Sequence, residues 1–267
     1  MKQRVITAVL AGAVALAAIL APTPIPLHFL AILAFVVGVY ELATLLREEI
    51  GYVLLIAGVG LGTLSSPRIT SVPTALILLP ISLIGMVAMV VFARGNKRTW
   101  PLIGLWLSSG LASAAWLHDK TAGPEWGSSL VLLALLPLWA GDSLAYFVGR
   151  AIGKHPLAPT ISPKKTWEGA IANFAGCLLG AWGIAYAIGA PIIAGLAVGL
   201  TLGVLGQAGD LLESWLKRST GEKDSGGILP GHGGILDRLD SFLATAPVNA
   251  VLLAILAPDM FHVKPLG

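Results

Sequence analysis

The sequence predicts an all-α fold: a polytopic transmembrane bundle of about nine spans with an active-site cleft facing the cytoplasm. Three observations carry that expectation. Of 267 residues, 56% are hydrophobic and only 12% are Asp, Glu, Lys or Arg, about half the charge of a soluble domain. Apolar runs of about 17 residues or more recur, each long enough to cross ~30 Å of hydrocarbon at ~1.5 Å per residue. With the N-terminus inside, fourteen of the Lys and Arg residues fall in cytoplasmic segments and three (Arg68, Lys120, Lys264) in outer ones, a strong positive-inside bias. A soluble enzyme, a disordered chain and a secreted disulfide scaffold are excluded.

Spans are expected near 4–21, 27–46, 50–65, 72–93, 100–117, 127–149, 168–188, 191–208 and 240–257. Pro, Gly or charge clusters such as Pro22-Thr23-Pro24 and Arg94-Gly95-Asn96-Lys97-Arg98 punctuate the joins. The first follows Lys2 and Arg4 and reads as an uncleaved span, because the run is long and no clean A-x-A site closes it. The third is short and glycine-rich (Gly58, Gly60, Gly62). The second carries Glu41 and the sixth Asp142; a carboxylate at such depth should face a partner or a polar cavity. The eighth carries a small-residue stripe, Gly195, Gly199 and Gly203, suited to helix packing. An odd number of spans places the C-terminus outside. The chain divides into 1–125, about five N-terminal spans, and 126–267, a catalytic region with cytoplasmic loops 150–168 and 209–240.

Over half of the charged residues lie between 142 and 240, acids and bases in equal number. Asp210, Glu213, Ser214 and Lys217 stand at i, i+3, i+4 and i+7, and Asp237, Asp240 and Ser241 at i, i+3 and i+4, so helices would align each set on one face. Two such faces could offer carboxylates to one hard cation, and Asp142 is a further candidate. Oxygen ligation with few protein groups suits a Mg²⁺ that also binds substrate phosphates. Between the faces, Gly226-Gly227-Ile228-Leu229-Pro230-Gly231-His232-Gly233-Gly234 cannot be a helix interior. Its backbone N–H groups suit an anion-cradling nest, with Lys217, Arg218, Lys223 and Arg238 as cationic neighbours. A solvated hairpin with self-paired charges is the alternative, but the acids continue into a membrane helix, where unpaired charge is expensive. Ser162, Lys164, Lys165 and Thr166 read either as a positive-inside flank or as a phosphate clamp. Glu41 is open between structural pairing and a gate.

Other patterns are absent. One cysteine, Cys177, excludes intrachain disulfides and zinc clusters that need two. A net charge of +3 does not imply nucleic acid. Gly149-Arg150-Ala151-Ile152-Gly153-Lys154-His155 is one residue short of a P-loop and lacks its Ser/Thr, and neither H-E-x-x-H nor G-x-S-x-G occurs. His28, His118 and His262 read as structural and His155 as solvated; His232 is the histidine worth testing.

The run Ser214 to Asp240, S-W-L-K-R-S-T-G-E-K-D-S-G-G-I-L-P-G-H-G-G-I-L-D-R-L-D, resembles the C-terminal motif of the phosphatidate cytidylyltransferases (CDP-diacylglycerol synthases) without a mismatch. G-D-S-L-A-Y-F-V-G-R-A-I-G-K (141–154) and S-P-K-K-T-W-E-G (162–169) resemble two further family stretches in the same order, with Ser143 where Thr is expected. The resemblance runs from about 139 to 241. It implies a Mg²⁺-dependent enzyme that makes CDP-diacylglycerol and pyrophosphate from CTP and phosphatidate, a homodimer embedded in membrane lipid. The bacterial inner membrane is the expected location, with the N-terminus and active site cytoplasmic. Position by position, the resemblance implies that Asp210 and Asp237 hold the metal centre, in which a K⁺ can accompany Mg²⁺. It assigns Lys217, Arg218, Lys223, Asp224, His232, Gly233 and Gly234 to the nucleotide and phosphate site.

The chemistry agrees with that implication. A phosphate monoester is already largely dianionic near neutral pH, its second pKa being about 6. It needs no Ser or Cys nucleophile, only in-line placement against the α-phosphorus of CTP and neutralisation of the leaving pyrophosphate. Direct displacement is therefore expected. Three rivals remain: a CTP-dependent polyprenol or phytol kinase, which would release CDP; a cytidylyltransferase for an ether-lipid phosphate; and a transporter, which would predict more mid-bilayer charge than Glu41 and an internal repeat.

Overall fold

The computed structural model describes residues 2–47, 72–96, 100–120, 130–229, 231 and 233–260. The expected third span, His232 and His262 lie outside the described residues. In chain order the elements are α1 (Lys2–Ile19), α2 (Ile25–Leu46), α3 (Val72–Ala93), α4 (Trp100–Lys120), α5 (Leu130–Ile152), β1 (Pro156–Ala158), β2 (Ser162–Thr166), α6 (Trp167–Ala187), α7 (Ile192–Thr201), α8 (Gln207–Thr220) and α9 (Leu236–Leu256). A π-helical turn, Leu202–Gly206, joins α7 to α8 without a break.

Among the described residues, six helical stretches are long and apolar enough to cross a membrane: α2, Leu76–Ala93 of α3, α5, α6, the rod Ile192–Thr220 and α9. The protein is thus a predominantly helical membrane protein. The expected first and fifth spans are helical but stand outside this set. The apolar part of α1 is limited to Val9–Ile19. In α4, Ser108, Ser109 and Ser113 are buried and donate back to carbonyls three or four residues earlier.

Two expectations need correction. The fold is not purely α: β1 and β2 pair antiparallel, Pro156 with Thr166 and Ala158 with Ser162, inside the expected 150–168 loop. Trp167 N–H closes the hairpin on His155 O at 2.9 Å. Pro156 and Pro163 lack an N–H and keep it short. The eighth span, expected to end near 208, continues as helix to Thr220. Its polar residues share one face, so the other face can bury Leu216, which is 1% exposed. The rod stops at Gly221, φ +83°, where the next N–H groups return to Arg218 O and Lys217 O.

Two apolar cores form. One gathers α5, α6, α7 and α9 (Leu133, Cys177, Val198 and Leu253 among them). The other gathers α2, α3, α4 and the ends of α8 and α9 (Phe35, Phe92, Trp106, Leu216, Leu236). Helix α9 belongs to both. The glycine stripe of α7 packs as expected: a Cβ on Gly199 would lie 2.7 Å from Leu178 Cα, so α6 and α7 touch backbone to backbone there. On the other flank of α6, a Cβ on Gly176 would lie 2.9 Å from Gly141 Cα of α5. Large apolar side chains such as Val87, Ile171, Ile193 and Ile255 point outward, the surface a bilayer would cover.

Candidate active site

The two polar stretches meet at one end of the bundle. Lys165, on β2, forms an ion pair with Asp210 of α8. Arg218 Nε donates to Ile161 O at 3.2 Å, tying the turn of the hairpin to the end of α8. Between α5, the hairpin, α6 and α8 lies a cavity of about 340 Å³, lined among others by Asp142, Lys164, Lys165, Thr166, Asn173 and Asp210. The glycine contact between α5 and α6 brings Asp142 against Asn173, whose Nδ2 donates to Asp142 Oδ1 at 3.0 Å. Thr166 is extended (φ −122°, ψ 155°) and caps α6, its Oγ1 accepting from Gly169 N at 3.2 Å. Part of the expected phosphate clamp is therefore also a helix cap, while Ser162 stands on the same strand and Lys164 is exposed. Arg150 Nη1 donates to Tyr146 OH at 2.9 Å beside the cavity. His155 Nδ1 lies 2.7 Å from Glu168 Oε1 at the base of the hairpin, so it holds structure as well as meeting water.

A second constellation sits further along the same face of α8. Lys217 Nζ, its side chain 8% exposed, pairs with Glu213 one turn back and donates to Asp237 Oδ1 at 2.5 Å. Asp237 Oδ2 accepts from Ser225 N at 3.0 Å and Gly234 N at 2.8 Å. The glycine-rich turn does cradle an anion, but the anion is the chain's own carboxylate. Gly233, at φ +80°, has no room for a Cβ, which would lie 2.5 Å from Asp237 Oδ2. Lys223, Asp224 and Arg238 are exposed around this turn. Asp240 is buried and takes Ser241 N at 2.6 Å.

Glu41, left open by its sequence position, has a definite place. It is 1% exposed on α2. Its carboxylate accepts from Ile235 N at 2.8 Å, Leu236 N at 3.0 Å and Ser225 Oγ at 3.2 Å. It is therefore structurally paired, across 194 residues of sequence.

Asp210 lies within electrostatic range of Asp142, Glu213 and Asp240, and Glu213 also of Asp237, with Lys165, Lys217 and Arg238 as the cations that reach them. Carboxyl groups outnumber cations, and every donor is a hard oxygen. Among the described residues no three His, Cys, Asp or Glu side chains converge into a closed metal cage. A partial carboxylate set completed by water and phosphate oxygens is the arrangement Mg²⁺ favours, so the donor chemistry fits a divalent cation that arrives with a polyphosphate. Sequence reasoning missed Asn173 and Gln207. Gln207 Nε2 donates to Gly203 O at 2.5 Å and Ala170 O at 3.1 Å, pinning the π turn to α6. The available signal was a lone amide in an otherwise apolar span, where it must find a partner.

Comparison with known proteins adds the following. A model of the cytidylyltransferase family matches residues 2–256. A phosphatidate cytidylyltransferase of Brucella abortus is 40% identical over 178 residues, 66% of this chain and 65% of that protein. One from Bacillus subtilis is 47% identical over 133 residues, 49% of each chain, and one from Synechocystis is 40% identical over 162 residues, 59% of this chain and 52% of its own. The match spans less than two thirds of the length of each of these relatives.

Proposed function

The chain belongs to the cytidylyltransferase family, and we propose that it is a phosphatidate cytidylyltransferase: CTP and phosphatidate give CDP-diacylglycerol and pyrophosphate by direct in-line transfer. The observation that carries this reading is the junction at α8, where a lysine-bearing hairpin and a carboxylate-bearing helix face one cavity. Relatives named as phosphatidate cytidylyltransferases, at 40–47% identity, point the same way.

In this reading Lys164, Lys165 and Arg150 receive the phosphate of the lipid, whose acyl chains lie along α5, where Tyr146 and Phe147 are 58% and 65% exposed. That geometry favours lateral entry from the leaflet. An oxygen of the lipid phosphate forms a bond to the α-phosphorus of CTP, and the bond from that phosphorus to the β-phosphate bridge breaks. The electron pair leaves with pyrophosphate. Lys217, Arg218 and Lys223, together with Asp224, His232, Gly233 and Gly234, orient the nucleotide and offset the leaving charge. Asp210 and Asp237, with Asp142 and Asp240 as further oxygen donors, would hold Mg²⁺, which supplies neutralisation of the triphosphate when bound. Charge segregation supports a chain of about nine spans in a bacterial inner membrane, N-terminus and cleft cytoplasmic. We place it there as a homodimer on family resemblance.

Pure protein given CTP, Mg²⁺ and phosphatidate should release pyrophosphate only when the lipid is present. Release of CDP would identify a lipid kinase instead. An ether-lipid phosphate run alongside decides the acceptor class, and a cytidylylated protein trapped on CTP alone would refute direct displacement.

A further inference from the structure

We infer that Glu41, on α2, is a positioning residue of the transferase site: it caps α9 from another helix and thereby sets Asp237. The inference rests on the proposed function for its kinetic consequence, but its geometric content stands apart from it.

A helix leaves its first N–H groups without partners, and a side chain at or before the first turn usually takes them. Helix α9 has no such residue of its own: Ile235 stands at the cap position and offers no acceptor. The Ile235 and Leu236 N–H groups go instead to the two oxygens of Glu41, at 2.8 and 3.0 Å. Ser225 Oγ donates to the same carboxylate, and Ser225 N donates to Asp237. One buried anion thus grips both ends of the 225–236 turn, and that turn delivers two N–H groups to Asp237 Oδ2. A negative group at this end of α9 also meets the positive pole of the helix dipole.

The glycines of the turn are explained by the same contact. A Cβ on Gly226 would stand 2.8 Å from Glu41 Oε1, and one on Gly234 would collide with Ser225 Oγ and Glu41 Oε2. Two of the glycines that look like a phosphate nest are thus required to admit a carboxylate from α2. A Gln at position 41 would present one acceptor oxygen and an NH₂ group to a pocket of donors. It would leave at least one buried donor unpaired.

The test uses the full chain in detergent, with hydrogen exchange and turnover measured on the same samples. In Glu41→Gln, amide exchange across 225–236 should accelerate on the order of tenfold while α6 peptides stay unchanged. Turnover should fall by a similar factor and the half-saturating Mg²⁺ concentration should rise severalfold, as expected when support for a ligating side chain is lost. Glu41→Asp, which keeps the charge, should restore part of both. Unchanged exchange across 225–236 in folded Glu41→Gln overturns the clamp. Lost turnover with an unchanged Mg²⁺ requirement and no recovery in Glu41→Asp overturns its link to the site. Should Glu41→Gln fail to fold, Ser225→Ala removes only the Oγ bond and must shift exchange in the same direction, less far; no shift overturns the inference. A wild-type protein without cytidylyl transfer would defeat the proposed function, while the exchange data would still decide the clamp.

Discussion

Asp142 and Asp210 face the same cavity but are supported differently, and the difference predicts how each responds to mutation. Asp210 is held by an ion pair to Lys165 and by Ser214 Oγ at 3.4 Å. Asp142 accepts one directional bond, from Asn173. Asn173→Ala removes that donor from a carboxylate that must then reorient, at a cost of about 1.5–3 kcal/mol for a bond to a charged group. Turnover with saturating lipid should fall roughly tenfold or more, by the conversion of about 1.4 kcal/mol per tenfold, while Asn173→Asp should be worse because it sets two acids face to face. Equal activity of wild type and Asn173→Ala would show that Asp142 takes no part. At this scale the i, i+3, i+4, i+7 spacing made the Asp210 to Lys217 face legible, because helical geometry is local. The partners were not legible: Lys165 lies 45 residues from Asp210, and Glu41 nearly 200 residues from the N–H groups it takes. Only packing sets those pairs.

The π turn between α7 and α8 joins the helix that packs on α6 to the helix that carries Asp210. It places an extra residue in the helical ladder between the glycine stripe that packs on α6 and the face that carries Asp210, and such turns recur at functional sites. Inserting one Ala after Ala208, which is exposed, should rotate everything beyond it by about 100°. Asp210 would turn from Lys165, and Lys217 from Asp237. The lengthened variant should enter the membrane and stay soluble in detergent, yet lose turnover by on the order of a hundredfold; retained activity would show that the rod's phase does not matter. Sequence periodicity found the helices, because apolar runs of that length have few alternatives. It did not find the π turn, which changes no residue's polarity, nor the hairpin, whose strands are too short to show alternation.

Over the whole molecule, α9 is shared by both cores and its N-terminus is capped from α2, so the N-terminal helices contribute to the site rather than merely anchoring it. The proposed orientation across the membrane rests on where Lys and Arg fall, and it is open to a simple test. Cys177 is 0% exposed, so the wild-type chain should give little background with a membrane-impermeant maleimide. Glu222→Cys, on the exposed turn after α8, should label in inside-out vesicles and remain unlabelled in intact cells. Labelling from outside would invert the topology and place the cleft away from cytoplasmic CTP.

In the proposed reaction the cavity at the α8 junction moves the cytidylyl group of CTP, with its α-phosphorus, to a lipid phosphate. It is tested most directly with CTP carrying distinguishable labels at the α- and γ-phosphorus, offered with Mg²⁺ and phosphatidate to pure wild-type protein and to folded Asp210→Asn and Asp237→Asn. Wild type should place only the α label in lipid, and both variants should lose on the order of a hundredfold or more of that transfer. The γ label in lipid, or wild-type rates in both variants, would contradict it.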